Sequence, residues 1–380
     1  MDLRFSAEDD AFRAEARAWL EANVPAEPLP SGDTADGFAL HVAWEKKLFA
    51  GRWSAVSWPK EYGGREASLV QWLIFEEEYY RAGAPARVTQ NGIFLLAPTI
   101  FEYGTEEQKA RILRPMAAAE HLWGQAWSEP NAGSDLASVQ CTAVRAEGGW
   151  RLSGQKTWCT RGMFCDSVYG MFRTDLNASR PHRGLTYFMV SLSAPGVRCR
   201  GVERLDGDLS FAEIFLEDVF VPDTDVIGEV NRGWYVAMAT TSSERGLTLR
   251  SPGRFIAAVS RLVDLYRRDP GDPGLKDRIV QSWIQAQAYR WSSYSTVAKM
   301  SAGKAIGAEN SLSKVFWSEM DIELHRTAIA LLGPNAELED GPDSRWIKDY
   351  MFSLAGSIYA GTNEIQRNVI AERLLGLPRK

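Results

Sequence analysis

The apolar period of this chain changes twice along its length, and that alternation limits its architecture more than any other feature. Up to about residue 120, apolar side chains recur at helical spacing. Phe12, Ala16, Trp19 and Leu20 form one stripe, Trp44, Leu48 and Phe49 another, and Leu69 to Ala82 continues the pattern around an acidic cluster of Glu76, Glu77 and Glu78. Between the last two, Trp58-Pro59-Lys60-Glu61-Tyr62-Gly63-Gly64 reads as a loop. From 121 to 230 the period shortens to two. Cys141 to Ala146, the turn residues Glu147-Gly148-Gly149, and Trp150 to Ser153 have the alternation of a β-hairpin, with further strands at Leu185 to Leu192 and Phe211 to Val221. Beyond Gly228, helical spacing returns over roughly 233–267, 274–301, 306–332 and 344–373, interrupted at Asp269 to Gly274 and at Gly333-Pro334-Asn335. The pattern predicts a mainly α chain with a central β-domain: a helical domain over 1–120, a β-domain over 121–230 and a four-helix bundle over 231–380.

A chain of 380 residues, 45% hydrophobic and 24% charged, has the balance of two or three packed globular units. The net charge of −6 gives no basic face for a phosphodiester backbone, so no nucleic-acid partner is expected. Cys141, Cys159, Cys165 and Cys199 are too few for a disulfide framework, and no Cys-x-x-Cys pair occurs. His41, His121, His182 and His325 are scattered without ligand spacing, so no metal is expected. The first ten residues are acidic and amphipathic, unlike a secretory signal or a transit peptide, and no apolar run reaches roughly eighteen residues. These features predict a cytoplasmic protein with reduced thiols and no membrane span.

Three segments carry chemistry: Trp127-Ser128-Glu129-Pro130-Asn131-Ala132-Gly133-Ser134-Asp135, Gly154-Gln155-Lys156-Thr157-Trp158-Cys159-Thr160-Arg161-Gly162, and Tyr359-Ala360-Gly361-Thr362-Asn363-Glu364-Ile365-Gln366-Arg367. Any one alone is more simply a polar turn, or a strand with a core tryptophan. Together, in this order and spacing, they resemble the signatures of the acyl-CoA dehydrogenase family, and the resemblance covers essentially the whole chain. It implies that family's N-terminal helical domain, β-barrel-like middle domain and C-terminal helical bundle, a tetrameric assembly, FAD as cofactor, an acyl-CoA substrate and an electron-transfer flavoprotein as electron acceptor. By resemblance, Ser128 and the Trp127 backbone approach the pyrimidine edge of the flavin, Trp158 packs on the isoalloxazine, and Thr160 hydrogen-bonds near N5. Ser134 contacts the flavin phosphate or the pantetheine arm, Thr362 and Glu364 lie at the flavin, and Tyr359 and Gly361 lie beside the substrate. Hydroxyl and backbone donors suit a ring whose reduced form gathers negative charge.

The third segment departs from the family at the position that matters most for catalysis. Many members have there the glutamate that removes the substrate α-proton; this chain has Ala360, whose methyl accepts no proton, although its backbone amide can still polarise a thioester oxygen. One branch of the family has its glutamate on a bundle helix, just before an arginine. Ser242-Ser243-Glu244-Arg245-Gly246 matches that stretch, so Glu244 is the expected base, Arg245 its electrostatic support, and Gly246 room for a bulky acyl group. An isolated Glu-Arg pair on a helix is otherwise an ordinary ion pair.

Two further motifs are missing. The Arg-x-x-Phe-Gly stretch that reaches a neighbouring subunit's flavin is not found, and Ala330-Leu331-Leu332-Gly333-Pro334 replaces Gln-x-x-Gly-Gly. These losses resemble the actinobacterial branch acting on steroid-type or other bulky acyl-CoAs, in which unlike subunits share one flavin site. The expected assembly is therefore a homo-oligomer or a heterotetramer with a related subunit. A flavin oxidase or monooxygenase on the same fold, and a non-catalytic partner subunit, remain open at this level.

Overall fold

The computed structural model describes residues 5–245, 251–304, 307–338, 341 and 343–378, with the side chains of 241–245 outside that description. In chain order the elements are α1 (Ala7–Asn23), α2 (Ala35–Ala50), α3 (Leu69–Arg81), a π-helical turn (Asn91–Leu96) running into α4 (Ala97–Tyr103), and α5 (Glu106–Ala117). Eight strands follow among the described residues: β1 (Trp123–Gln125), β2 (Thr142–Ala146), β3 (Gly149–Thr160), β4 (Ser167–Arg173), β5 (Leu185–Ser191), β6 (Val197–Val202), β7 (Phe211–Pro222) and β8 (Val226–Ile227). The remaining helices are α6 (Gly233–Arg245), α7 (Pro252–Arg268), α8 (Leu275–Ser301), α9 (Glu309–Leu332), α10 (Arg345–Leu354) and α11 (Asn363–Val369). None of the described helices is long and apolar enough to cross a membrane.

The change of period is borne out. The predicted hairpin is β2–β3, antiparallel, with Arg145 opposite Trp150 and Ala146 opposite Gly149 across the turn. The predicted strands near 185–192 and 211–221 are β5 and β7. The sheet runs β6-β7-β3-β2-β4-β5-β8, and β1 adds parallel to β4. Leu152, Cys159, Phe172, Phe188, Ile214 and Val219 alternate inward from four of these strands to form its core.

Two of the four predicted bundle helices differ from expectation. The segment 233–267 is two helices, because Ser251 caps a new one whose first residue is Pro252, a residue without an N–H that suits a first turn and disfavours an interior. The segment 344–373 divides into α10 and α11, with left-handed backbone at Ala360 (φ 57°) and Gly361 (φ 79°) between them.

The chain forms two compact units. One gathers residues up to 26, 67–84 and 245 onward; the other gathers 27–66 and 85–244. The segment 1–120 therefore serves both, where period alone predicts one helical domain. In the first unit, α3 packs on α7 because Gly253 has no side chain: an added Cβ would stand 2.7 Å from the Glu76 carbonyl oxygen. Charge ties α3 to two further helices: Arg290 of α8 donates to Glu77 (3.0 Å), and Arg13 and Arg17 of α1 donate to Glu78 (3.1 and 2.9 Å). In the second unit, α6 lies with the sheet: Val236, Ala237 and Thr240 are buried, and the Thr240 hydroxyl meets that of Thr99 in α4 at 2.7 Å.

Candidate active site

In the sheet unit, the segment after β1 is laced onto β3 from below. Glu129 and Lys156 are buried, and Lys156 Nζ donates to Glu129 Oε1 (2.8 Å), to the Met171 carbonyl (2.7 Å) and to the Trp127 carbonyl (3.4 Å). Glu129 also accepts from the amides of Gln140 (2.6 Å) and Cys141 (3.0 Å). Burial alone would keep this carboxyl protonated, but the Lys156 ammonium and the Gln140 amide outweigh it and hold its pKa below the ordinary value. The Thr157 amide donates to the Ser128 carbonyl at 2.9 Å, so two of the motif segments are joined side by side.

A bulge then turns Trp158 outward. Lys156 pairs with Ile214 and Cys159 with Ala212, which leaves one extra residue on β3, and Trp158 takes a left-handed φ of 59°. The residue is 59% exposed, and among the ring contacts of the described residues its indole meets only Phe211, edge-on with 5.7 Å between ring centres. Left-handed backbone at a bulky residue costs on the order of 1–3 kcal/mol, and an exposed indole recovers little of that by packing. Thr160 ends β3, its carbonyl receiving Asn91 Nδ2 (3.4 Å) from the π turn. Arg161 next to it binds Asp33 at 2.7 Å. The Asp33 carboxyl, although buried, is held below its ordinary pKa by Arg161, Ser210 and Arg204.

The hydroxyls of Ser128, Ser134 and Thr160 engage no protein partner among the described residues. Gln125 Nε2, at the end of β1, is a buried donor without an acceptor there. An orphaned buried donor costs about 1–3 kcal/mol, which a ligand carbonyl would remove. A row of unused hydroxyls, a buried amide donor and an outward indole fit FAD, whose pyrimidine edge offers acceptors and whose ring offers a flat face. The Trp127 indole is committed elsewhere: Nε1 donates to Tyr187 Oη (3.0 Å), which lies 3.4 Å from the Thr240 hydroxyl.

The same chain of contacts reaches α6, the helix that carries Glu244. Thr240 is one helical turn before Glu244 in α6, so the sheet unit anchors the helix four residues upstream of it. Glu244 and Arg245 close α6; their side chains, and the whole of Gly246, lie outside the described residues.

The third motif belongs to the helical unit. Tyr359 stacks on Trp317 of α9 (6.0 Å between ring centres, 30° between planes). Ala360 and Gly361 are both left-handed, and Thr362 caps α11 by accepting the Ile365 amide at 3.2 Å. Gln366 Nε2 reaches back to the carbonyls of Ala360 (3.2 Å) and Gly361 (3.3 Å), while the Ala360 amide donates to no acceptor among the described residues. Glu364 is exposed, and its own amide and the Thr362 hydroxyl hold its carboxyl below the ordinary pKa.

Sequence reasoning missed Gln125, which carries no local signal, and the supporting roles of Glu129, Lys156, Asn363 and Gln366. The last four lie inside the quoted motifs, and a lysine flanked by strand formers on β3 was the available hint.

Sequence models of the acyl-CoA dehydrogenase N-terminal, middle and C-terminal domains match residues 6–120, 124–219 and 231–375. The acyl-CoA dehydrogenase IpdE1 of Mycolicibacterium smegmatis is 39% identical over 389 residues, spanning 97% of this chain and 98% of that protein. IpdE1 of Mycobacterium tuberculosis is 36% identical, spanning 98% of each. Among solved structures, the Tcur3481-Tcur3483 steroid ACAD superposes with a TM-score of 0.90 at 27% identity, covering 100% of both chains. The ChsE4-ChsE5 complex from Mycobacterium tuberculosis gives 0.88 at 27% identity, again with 100% of both chains covered.

Proposed function

The chain belongs to the acyl-CoA dehydrogenase family, and on that premise we propose that this FAD-dependent CH–CH oxidoreductase converts an acyl-CoA thioester to its trans-2-enoyl-CoA, with Glu244 as the base. The chemistry FAD supplies when bound is acceptance of the hydride that leaves the β-carbon. Ser128, Thr160 and Gln125 hold the flavin edge through their free donors, Trp158 covers its face, and the Trp127 backbone, Thr362 and Glu364 complete the contact. Ser134 meets the flavin phosphate or the pantetheine arm. Glu244 removes the α-proton, and closure of the site by the acyl chain raises its pKa toward working pH. Arg245 supports that charge. The Ala360 amide donates to the thioester oxygen as negative charge gathers there, with Tyr359 and Gly361 flanking the substrate.

The observation that carries this reading is the Ala360–Gly361 turn, whose Ala360 amide has no acceptor among the described residues, at a position where many family members have a glutamate and this chain has a methyl. The base then comes from another element, and Glu244 is the family-matched carboxylate. Glu244→Gln should retain flavin and thioester binding yet abolish anaerobic bleaching of the flavin by substrate; bleaching at the wild-type rate removes Glu244 from the role.

Electrons then pass to an electron-transfer flavoprotein, and the protein works in the cytoplasm. The division 1–120, 121–230 and 231–380 is kept as a division of labour between scaffold, flavin contacts and base. The substrate is a bulky, steroid-type acyl-CoA, and a related but unlike subunit shares the flavin site in a heterotetramer. Supporting this are the absent cross-subunit motifs at Asp269 to Gly274 and Ala330 to Pro334, and similarity to a steroid ACAD and to the ChsE4-ChsE5 complex. Full flavin occupancy in the chain purified alone would overturn the shared-site assignment.

A further inference from the structure

The Ala360–Gly361 turn joins two consecutive left-handed residues, one of them with a Cβ, so it persists only where its surroundings impose it. Those surroundings come from one face of α9. Lys314 is 1% exposed, and its Nζ donates to Asn363 Oδ1 at 2.8 Å. Ser318, one turn further along α9, shares its single hydroxyl proton between the same oxygen (3.1 Å) and the Val315 carbonyl (3.0 Å). The first residue of α11 is thereby held chiefly by the Lys314 ammonium, with Ser318 as a shared second donor. Trp317, adjacent to Ser318, stacks on Tyr359 at the other end of the turn. From within α11, the fully buried Gln366 ties the carbonyls of Ala360 and Gly361, which locks the peptide planes on either side of Gly361. The turn is thus gripped at both ends and along its carbonyl side, while the Ala360 amide meets no acceptor among the described residues.

A buried ammonium must meet acceptors, because burying an unpaired charge is far costlier than burying a methyl. An apolar side chain would fill the same space at lower desolvation cost but could not orient Asn363. We infer that Lys314 is a positioning residue that, through Asn363 and α11, sets the aim of the Ala360 amide. The inference rests on the proposed reading for its catalytic consequence, and on the contacts above for its structural part.

The test compares wild type, Lys314→Met and Ser318→Ala as full chains, in the assembly that retains flavin, by amide hydrogen exchange and by rapid anaerobic mixing with acyl-CoA. Lys314→Met should speed exchange in peptides covering 355–369 by about tenfold, the factor for losing one charge-assisted hydrogen bond. Peptides of α7 and α8 should keep wild-type rates. Ser318→Ala should raise exchange in the same peptides less, and it carries the test if Lys314→Met does not fold. Bleaching should slow by about tenfold in Lys314→Met, with the thioester concentration for half-maximal rate changed by less than about threefold, since the amide acts on charge developed in the transition state. Wild-type exchange in 355–369, or equal acceleration throughout α7–α9, overturns the inference. If exchange responds as expected but wild-type flavin is bleached by no thioester, the assignment of the turn to the thioester falls, and with it the catalytic consequence, while the tether stands.

Discussion

Replacing Lys156 by methionine tests whether the buried pair with Glu129 holds the flavin-contact segments together. All three ammonium protons of Lys156 have acceptors, and the residue is fully buried. Removing the ammonium leaves Glu129 buried with only the Gln140 and Cys141 amides. Breaking one side of such a pair costs about 3–5 kcal/mol, most of it from the charge left without a partner. For a unit of this size each kcal/mol lowers the melting temperature by roughly 2–4 °C, so Lys156→Met should melt about 6–20 °C below wild type. The double variant Glu129→Leu/Lys156→Met should be less destabilised than Lys156→Met alone, because no charge is stranded, although the freed Gln140 and Cys141 amides keep it below wild type. The pH dependence follows from the same pair. Glu129 has a depressed folded pKa, so its contribution is present above its ordinary value of 4.5 and is lost as pH falls through the folded value. The gap between wild type and Lys156→Met should therefore narrow below about pH 4.5. Thermal melting and urea denaturation across pH, both followed by circular dichroism, measure these effects. A Lys156→Met variant within about 1 kcal/mol of wild type at neutral pH, or a double variant no more stable than Lys156→Met, would refute the argument.

Gly253→Ala should destabilise the helical unit by about 1–3 kcal/mol in urea denaturation, since the new Cβ meets α3 backbone that cannot swing aside. Ala360→Gly should stabilise by roughly 0.5–1 kcal/mol, left-handed relief outweighing the extra freedom of glycine in the unfolded chain; a lower urea midpoint contradicts this. Glu78 is buried, yet Arg17, Arg81 and Arg13 hold its carboxyl down to about 2 from an ordinary 4.5. Its contribution is complete above 4.5 and lost as acid approaches 2, so Glu78→Gln should flatten the stability curve across that window in an acid titration. Ala360→Glu in a Glu244→Gln background should regain part of the anaerobic bleaching, because it restores a carboxylate at the position many family members use; no recovery, with flavin still bound, counts against Glu244 as the displaced base.

The sequence by itself determined what local spacing can encode. Period-two alternation and the Glu147-Gly148-Gly149 turn specified the β2–β3 hairpin, and 3.6-residue spacing specified α8 and α9 nearly to their ends. Residue identity at matched positions marked the three motif segments and the missing carboxylate at Ala360. What spacing cannot carry is which surfaces meet. The allocation of α1 and α3 to one unit and α2, α4 and α5 to the other depends on where Gly253 and the arginines facing Glu77 and Glu78 lie in space. The bulge that turns Trp158 outward depends on a shift of register between β3 and β7, strands of equal length separated by fifty residues of other structure. Glu129 with Lys156 and Lys314 with Asn363 read as ordinary polar residues until burial removes their water, after which each must find its partner in the fold. Tertiary structure decided these points because desolvation is a property of the packed chain, whereas periodicity is a property of the string.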